Sequence, residues 1–139
     1  MEILTMPGHV IRRLNQMSTQ VFAARMQKEG IDLTPVQFAA LDAIRTSPGL
    51  DQASIAACIA YDRATIGGVI ERLLQKGYVE RIVSDRDRRA RVITLSPQGE
   101  QAYARILPVV MALQDDILSG LSSSEKDLFM ALTAKVLEV

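Results

Sequence analysis

The chain has 139 residues, 48% of them apolar, and its 16 basic side chains are balanced by 16 acidic ones. That length fits one domain, or one protomer with an extension, and the apolar share is enough for a real core. Cys58 is the only cysteine and His9 the only histidine, which excludes an intrachain disulfide, a multi-histidine metal centre and a two-histidine catalytic relay.

Only six residues are aromatic, three Tyr and three Phe, with no Trp. Alanine, leucine, isoleucine and valine abound, so a mainly helical protein is expected. No basic flank precedes an apolar run at the start, and no apolar stretch reaches membrane-spanning length, so a cytoplasmic setting is expected. No glycine-rich phosphate loop follows a strand, and no cysteine pair offers a ligand set. Neither enzyme activity nor a cofactor or metal is expected.

A first helix is predicted from Met6 to about Gly30, with Pro7 in its first turn and Gly30 as its stop. Val10, Leu14, Met17, Val21 and Phe22 form one apolar stripe, with Ile11 and Met26 beside it. That stripe is broad for a terminal helix, and contact with a partner subunit would explain it. Thr34-Pro-Val-Gln37 has capping-box spacing and opens a second helix with Phe38, Leu41 and Ile44 inward, ended by Ser47-Pro-Gly49. Asp51 restarts the chain as a short third helix, with Ile55, Ala56, Ile59 and Ala60 as a small-residue stripe and Cys58 as an inert buried thiol among them. Gln52 and Ser54, early in it, lie where phosphate is in reach, although ordinary solvated polar residues look the same.

Asp62 caps a fourth helix that starts at Arg63. Ile66, Val69, Ile70 and Leu73 face inward at helical spacing, which leaves Arg63, Thr65, Gly67, Gly68 and Arg72 outward. Each glycine inside a helix costs about 1 kcal/mol relative to alanine, so the Gly67-Gly68 pair needs a close approach. The approach is either to another helix or to a base edge or thymine methyl in a major groove. Gly77 stops this helix; Tyr78–Val83 and Ala90–Leu95 then read as two strands joined by a loop with Arg86, Arg88, Arg89, Asp85 and Asp87. Such a loop suits a minor groove, with Asp87 able to hold the Arg89 guanidinium. Two short helices joined by a tight turn, the second basic and outward-facing, meet the helix-turn-helix pattern. From Asp62 to Arg91, eight basic residues stand against five acidic ones, a net of +3 balanced by −3 elsewhere. The neutral total hides a polarised chain.

Ser96-Pro97 opens a long fifth helix with Tyr103, Ile106, Leu107, Val110, Leu113 and Ile117 on one side, and Pro108 is expected to kink it. Ser122 to Glu125 repeats the capping-box spacing before a last helix with Leu128, Phe129, Leu132 and Val136. A thin arm of apolar helices has too little chain around it to bury them, and dimerisation is the simplest remedy.

Ile70-Glu-Arg-Leu-Leu-Gln-Lys-Gly-Tyr-Val79, then Asp87-Arg-Arg-Ala90 and Ile93-Thr-Leu-Ser-Pro-Gln-Gly99, closely resemble the signature of the MarR family of winged helix-turn-helix regulators. The resemblance runs over the whole chain. It departs at Gly67 and Gly68, where many relatives carry larger side chains. It implies a mainly α fold: a winged helix DNA-binding region over residues 31–99 with a two-stranded β wing, and dimerisation helices from residues 1–30 and 100–139. It also implies a homodimer on a pseudo-palindromic double-stranded operator, often released by a small aromatic ligand. Gln52, Ser54, Arg63, Thr65, Gly67, Gly68, Arg72, Arg86, Asp87, Arg88 and Arg89 would then meet DNA.

His9 and Arg13 lie four apart on one helical face, with Arg12 adjacent. With Met17 and Phe38 as apolar walls they suit an aromatic carboxylate, the guanidinium taking the acid; contacts at a dimer rim are the plainer alternative. The stretches Pro7–Arg13, Leu33–Gln37 and Ile59–Asp62 also resemble the MarR members that govern aromatic-acid degradation. A repressor relieved by such an acid is therefore expected. The rival readings are a redox regulator switched through Cys58 and a winged-helix interaction module that does not bind DNA.

Overall fold

The computed structural model describes residues 1–59, 62–84, 86 and 91–139. After a 3-10 turn (Glu2–Thr5) come α1 (Pro7–Lys28), α2 (Pro35–Thr46), α3 (Gln52–Cys58), α4 (Arg63–Gln75), the strands β1 (Val79–Val83) and β2 (Arg91–Leu95), α5 (Pro97–Ile117) and α6 (Ser123–Leu137). The strands pair antiparallel, from Val79 opposite Leu95 to Val83 opposite Arg91. Leu50 adds an antiparallel bridge to Ile93, whose N–H donates to the Leu50 carbonyl at 2.8 Å.

Local hydrogen bonds start the helices where the sequence places them. Thr34 with Gln37 and Ser122 with Glu125 form complete capping boxes, while Asp51, Asp62 and Ser96 each accept an N–H from the first turn of α3, α4 and α5. Gly77 takes the left-handed conformation after α4, at φ 75°. Pro108 lies inside α5, which continues as a single helix; the Ala104 carbonyl it leaves unpaired is on an exposed residue, where water can satisfy it.

The core is the meeting of α2, α3, α4, the sheet and the buried side of α5. Leu41, Ile44, Ile55, Ile66, Ile70, Leu73, Ile93, Ile106 and Leu113 are essentially inaccessible. Phe38 is only half-buried, stacked on Tyr103 with ring centroids 5.6 Å apart. Tyr103 donates to Asp42 Oδ1 at 2.6 Å, and the Arg45 guanidinium sits 4.8 Å over its ring while also facing Glu100. This cluster fastens α5 to α2.

A second fastening joins α5 to the end of α4. Ser96 donates through Oγ to the Gly77 carbonyl and through its N–H to the Tyr78 carbonyl, and its Oγ accepts from Gly99 N–H at 3.0 Å. A Cβ on Gly99 would run into the Tyr78 carbonyl oxygen, so this glycine is required by close approach.

Cys58 corrects the sequence reading. It is exposed, because Ile55 and Ala56 form the buried side of α3 and residue 58 lies past that arc. Ala60, read as the end of the small-residue stripe, and Tyr61 lie outside the described residues.

Candidate nucleic-acid interface

Helix α4 divides its residues as its periodicity dictates. Ile66, Val69, Ile70 and Leu73 are buried, while Arg63, Thr65, Gly68 and Arg72 are exposed and Gly67 is half-buried. The Asp62 carboxylate accepts from Ala64 N–H at 2.8 Å, and Thr65 returns its hydroxyl to the Asp62 carbonyl at 3.2 Å. The outward face is thus short-chained and polar at its middle and cationic toward both ends.

The glycine pair now has a geometry. A Cβ at Gly68 would meet nothing within 4 Å, and one at Gly67 would meet only the Gln52 amide nitrogen, at 3.6 Å. Close helix packing therefore does not require these glycines. Their bareness opens the helix surface to whatever lies outside it.

Gln52 is half-buried at the start of α3, and its amide oxygen accepts from Arg81 Nη2 at 3.0 Å. The same Arg81 nitrogen meets Glu71 Oε1 at 2.8 Å, so one guanidinium ties β1 to both helices of the helix-turn-helix. No signal in the sequence marked this trio, whose members lie 29 and 10 residues apart. Ser54 is half-buried, with its N–H on the Asp51 cap at 2.8 Å; hydrogen bonds from the Ser54 backbone and hydroxyl hold the Asp51 carboxyl below its ordinary value. Arg86 is exposed, its N–H donating to Ser84 Oγ at 3.2 Å. Asp85, Asp87, Arg88 and Arg89, the rest of the sequence-predicted wing loop, and Ala90, the predicted start of the second strand, lie outside the described residues.

Lys76, at the end of α4, is engaged elsewhere. Its ammonium donates to the Asp32 carboxylate at 2.9 Å and to the Asp32 carbonyl, and this hydrogen bond and charge lower the Asp32 carboxyl below its usual value.

The sequence-predicted ligand residues separate into two groups. His9, Arg13 and Met17 line one cavity of about 510 Å³ on α1, together with Leu4, Val10, Leu14, Gln16 and Gln20. Arg12 instead donates to His9 Nδ1 at 2.9 Å, and Phe38 lies in the α2–α5 cluster; neither lines that cavity. Its walls join the apolar Leu4, Val10, Leu14 and Met17 to one guanidinium, one imidazole and the amides of Gln16 and Gln20. Among the described residues no group of three or more His, Cys, Asp or Glu side chains is placed to hold a metal, and no single helix is long and apolar enough to cross a membrane.

A sequence profile described as the MarR family matches residues 31–90. Over 129 residues, 93% of each protein, the chain is 33% identical to the transcriptional regulator HosA of Escherichia coli O127:H6. The chain belongs to the MarR family. Two solved MarR-like structures extend the likeness. BpsR of Bordetella bronchiseptica, whose DNA binding is regulated by 6-hydroxynicotinic acid, is 27% identical with a TM-score of 0.87, over 96% of this chain and 94% of that one. PcaV of Streptomyces coelicolor, a transcriptional regulator solved with its natural ligand, is 27% identical with a TM-score of 0.86, over 99% and 95%. This MarR-family chain is a transcriptional regulator, and regulators of the type bind DNA as dimers.

Proposed function

We propose that this chain is a cytoplasmic, homodimeric repressor that holds a pseudo-palindromic operator and leaves it when a small aromatic carboxylate binds. The observation that carries the reading is the outward face of α4: Arg63 and Thr65 beside an uncovered Gly68, with Arg72 a turn further on. Arg63 and Thr65 read base edges, Arg72 holds phosphate, and Arg86, Arg88 and Arg89, with Asp87 orienting Arg89, enter the minor groove. Residues 31–99 form the reading unit. Residues 1–30 and 100–139 form the dimer arm, which the exposure of Val10, Ile11 and Leu14 on α1 and of Leu128, Leu132 and Val136 on α6 supports.

The acid enters the α1 cavity, its carboxylate on Arg13 with His9 beside it and its ring against Val10, Leu14 and Met17. BpsR supports an aromatic acid as the class. Bound ligand favours a dimer whose recognition helices no longer match successive major grooves, about 34 Å apart.

Fluorescence anisotropy on duplexes selected from a random pool tests the first half. Arg89→Ala is expected to weaken binding strongly, while Lys76→Ala, already paired with Asp32, changes little beyond salt dependence. Equal, negligible effects would remove the wing from the interface. For the ligand, calorimetry with salicylate and benzoate should show binding that Arg13→Ala abolishes; unchanged affinity in the variant would take Arg13 out of the site. A second reading, oxidant control, draws on the exposure of Cys58. Under it, peroxide abolishes duplex binding in the wild type and not in Cys58→Ser.

A further inference from the structure

We infer that Arg81 is a positioning residue for DNA recognition: it holds the Gln52 side-chain amide with its oxygen inward, so that the NH2 group donates to a backbone phosphate. The inference rests on the DNA-binding reading above and adds to it how one contact is set. Arg81 Nη2 lies 3.0 Å from Gln52 Oε1 and 2.8 Å from Glu71 Oε1. A guanidinium only donates, so its neighbour on the amide must be the oxygen. An amide left alone could turn either end outward, and half of those states would offer an oxygen to an anion. Arg81 removes that ambiguity, and Glu71 holds Arg81 in place from α4.

The amide nitrogen, thus directed, has no protein partner among the described residues. It stands beside Gly67, where even a Cβ would come within 3.6 Å of it. A longer side chain at residue 67 would cover the nitrogen or push Gln52 off Arg81. Glycine leaves the donor open at the surface of the reading unit. The acceptor it fits is a phosphate oxygen, because the first helix of a helix-turn-helix crosses the DNA backbone and Gln52 opens that helix. Gly67 and Gln52 therefore form one device with Arg81: the glycine uncovers the donor that the arginine aims.

The test measures duplex affinity at several salt concentrations for the wild type, Arg81→Lys, Gln52→Ala and the double variant. Lysine keeps the charge, but its shorter side chain does not carry the ammonium to the place where Arg81 Nη2 meets both acceptors. Arg81→Lys and Gln52→Ala should each weaken binding about tenfold, the size of one lost hydrogen bond to a charged group. The double variant should bind no more weakly than Gln52→Ala, and the slope of log affinity against log salt should be the same in all four, since none changes the net charge. Losses that multiply to about a hundredfold in the double variant, or an Arg81→Lys protein with wild-type affinity, would overturn the inference. A wild type that shows no salt-dependent duplex binding would instead count against the DNA-binding reading itself.

Discussion

The proposed reading unit and the proposed dimer arm bury their apolar side chains in opposite ways. Within residues 31–99, α2, α3, α4 and the sheet each contribute essentially inaccessible side chains to one core, from Leu41 through Ile55 and Ile70 to Ile93. Helix α6, by contrast, has no buried residue, with Leu128 57% and Val136 75% exposed. Helix α1 buries only Phe22 and Met26, leaving its first half open. The winged region is satisfied within one chain, whereas the arm has helices without a counterpart. Burial of a fully exposed leucine-sized side chain is worth roughly 2 kcal/mol, so the arm holds a large unspent contribution that a partner subunit would realise. Helix α5 belongs to both regions: its first half is fixed to the reading unit, and it then runs on to α6.

The junction between the two regions is the most sensitive point of the molecule. Gly99→Ala would force a Cβ against the Tyr78 carbonyl, and because the obstruction is backbone it should cost about 3 kcal/mol, read as a lowered denaturation midpoint. A variant as stable as the wild type would mean that α5 is not seated as described.

Next is Tyr103→Phe, which removes the hydrogen bond to Asp42 but keeps the stacking on Phe38, and should cost about 1 kcal/mol. The donation to Asp42 raises the Tyr103 phenol above its ordinary value of 10, with burial and the negative charge adding to the shift. Because the folded-state value is the higher one, this contribution is fully present below about pH 10 and is lost as pH rises through the folded value. The stability difference between wild type and Tyr103→Phe should therefore shrink in alkali, and a spectrophotometric titration should lose a component above pH 10 in the variant.

Gly68→Ala acts in the opposite direction. A Cβ there meets open space, so helix stability should rise by about 1 kcal/mol, while operator affinity falls if the helix backbone approaches DNA. The smallest effect on the fold of a single chain is expected from Leu132→Asp, in an exposed position of α6, which should change chain stability by no more than about 0.5 kcal/mol yet lower the mass measured by sedimentation. An unchanged mass would place the dimer contact elsewhere.

What the sequence disclosed follows the range of the forces involved. The caps at Thr34, Asp51, Asp62, Ser96 and Ser122 are hydrogen bonds within two or three residues, and the buried face of α4 is a local period, so both stand in the chain order itself. The Asp42–Tyr103 and Asp32–Lys76 pairs span 61 and 44 residues, and nothing near either member announces the other. Gly99 was legible as part of a motif but not as a contact, because its cause is the carbonyl of Tyr78, brought in from the residue before β1. Cys58 was misread because small apolar neighbours suggested burial, whereas position on a seven-residue helix decides it. In the candidate site, the outward residues of α4 followed from periodicity, while Arg81, the group that organises Gln52, became visible only when β1 was laid against α3 and α4.

The most direct test counts chains on DNA. Analytical ultracentrifugation of the protein with a selected duplex, repeated across salt concentrations, should give two chains per duplex and an affinity that falls linearly with salt on logarithmic axes. One chain per duplex, or binding indifferent to salt, would contradict a paired, cationic reading surface.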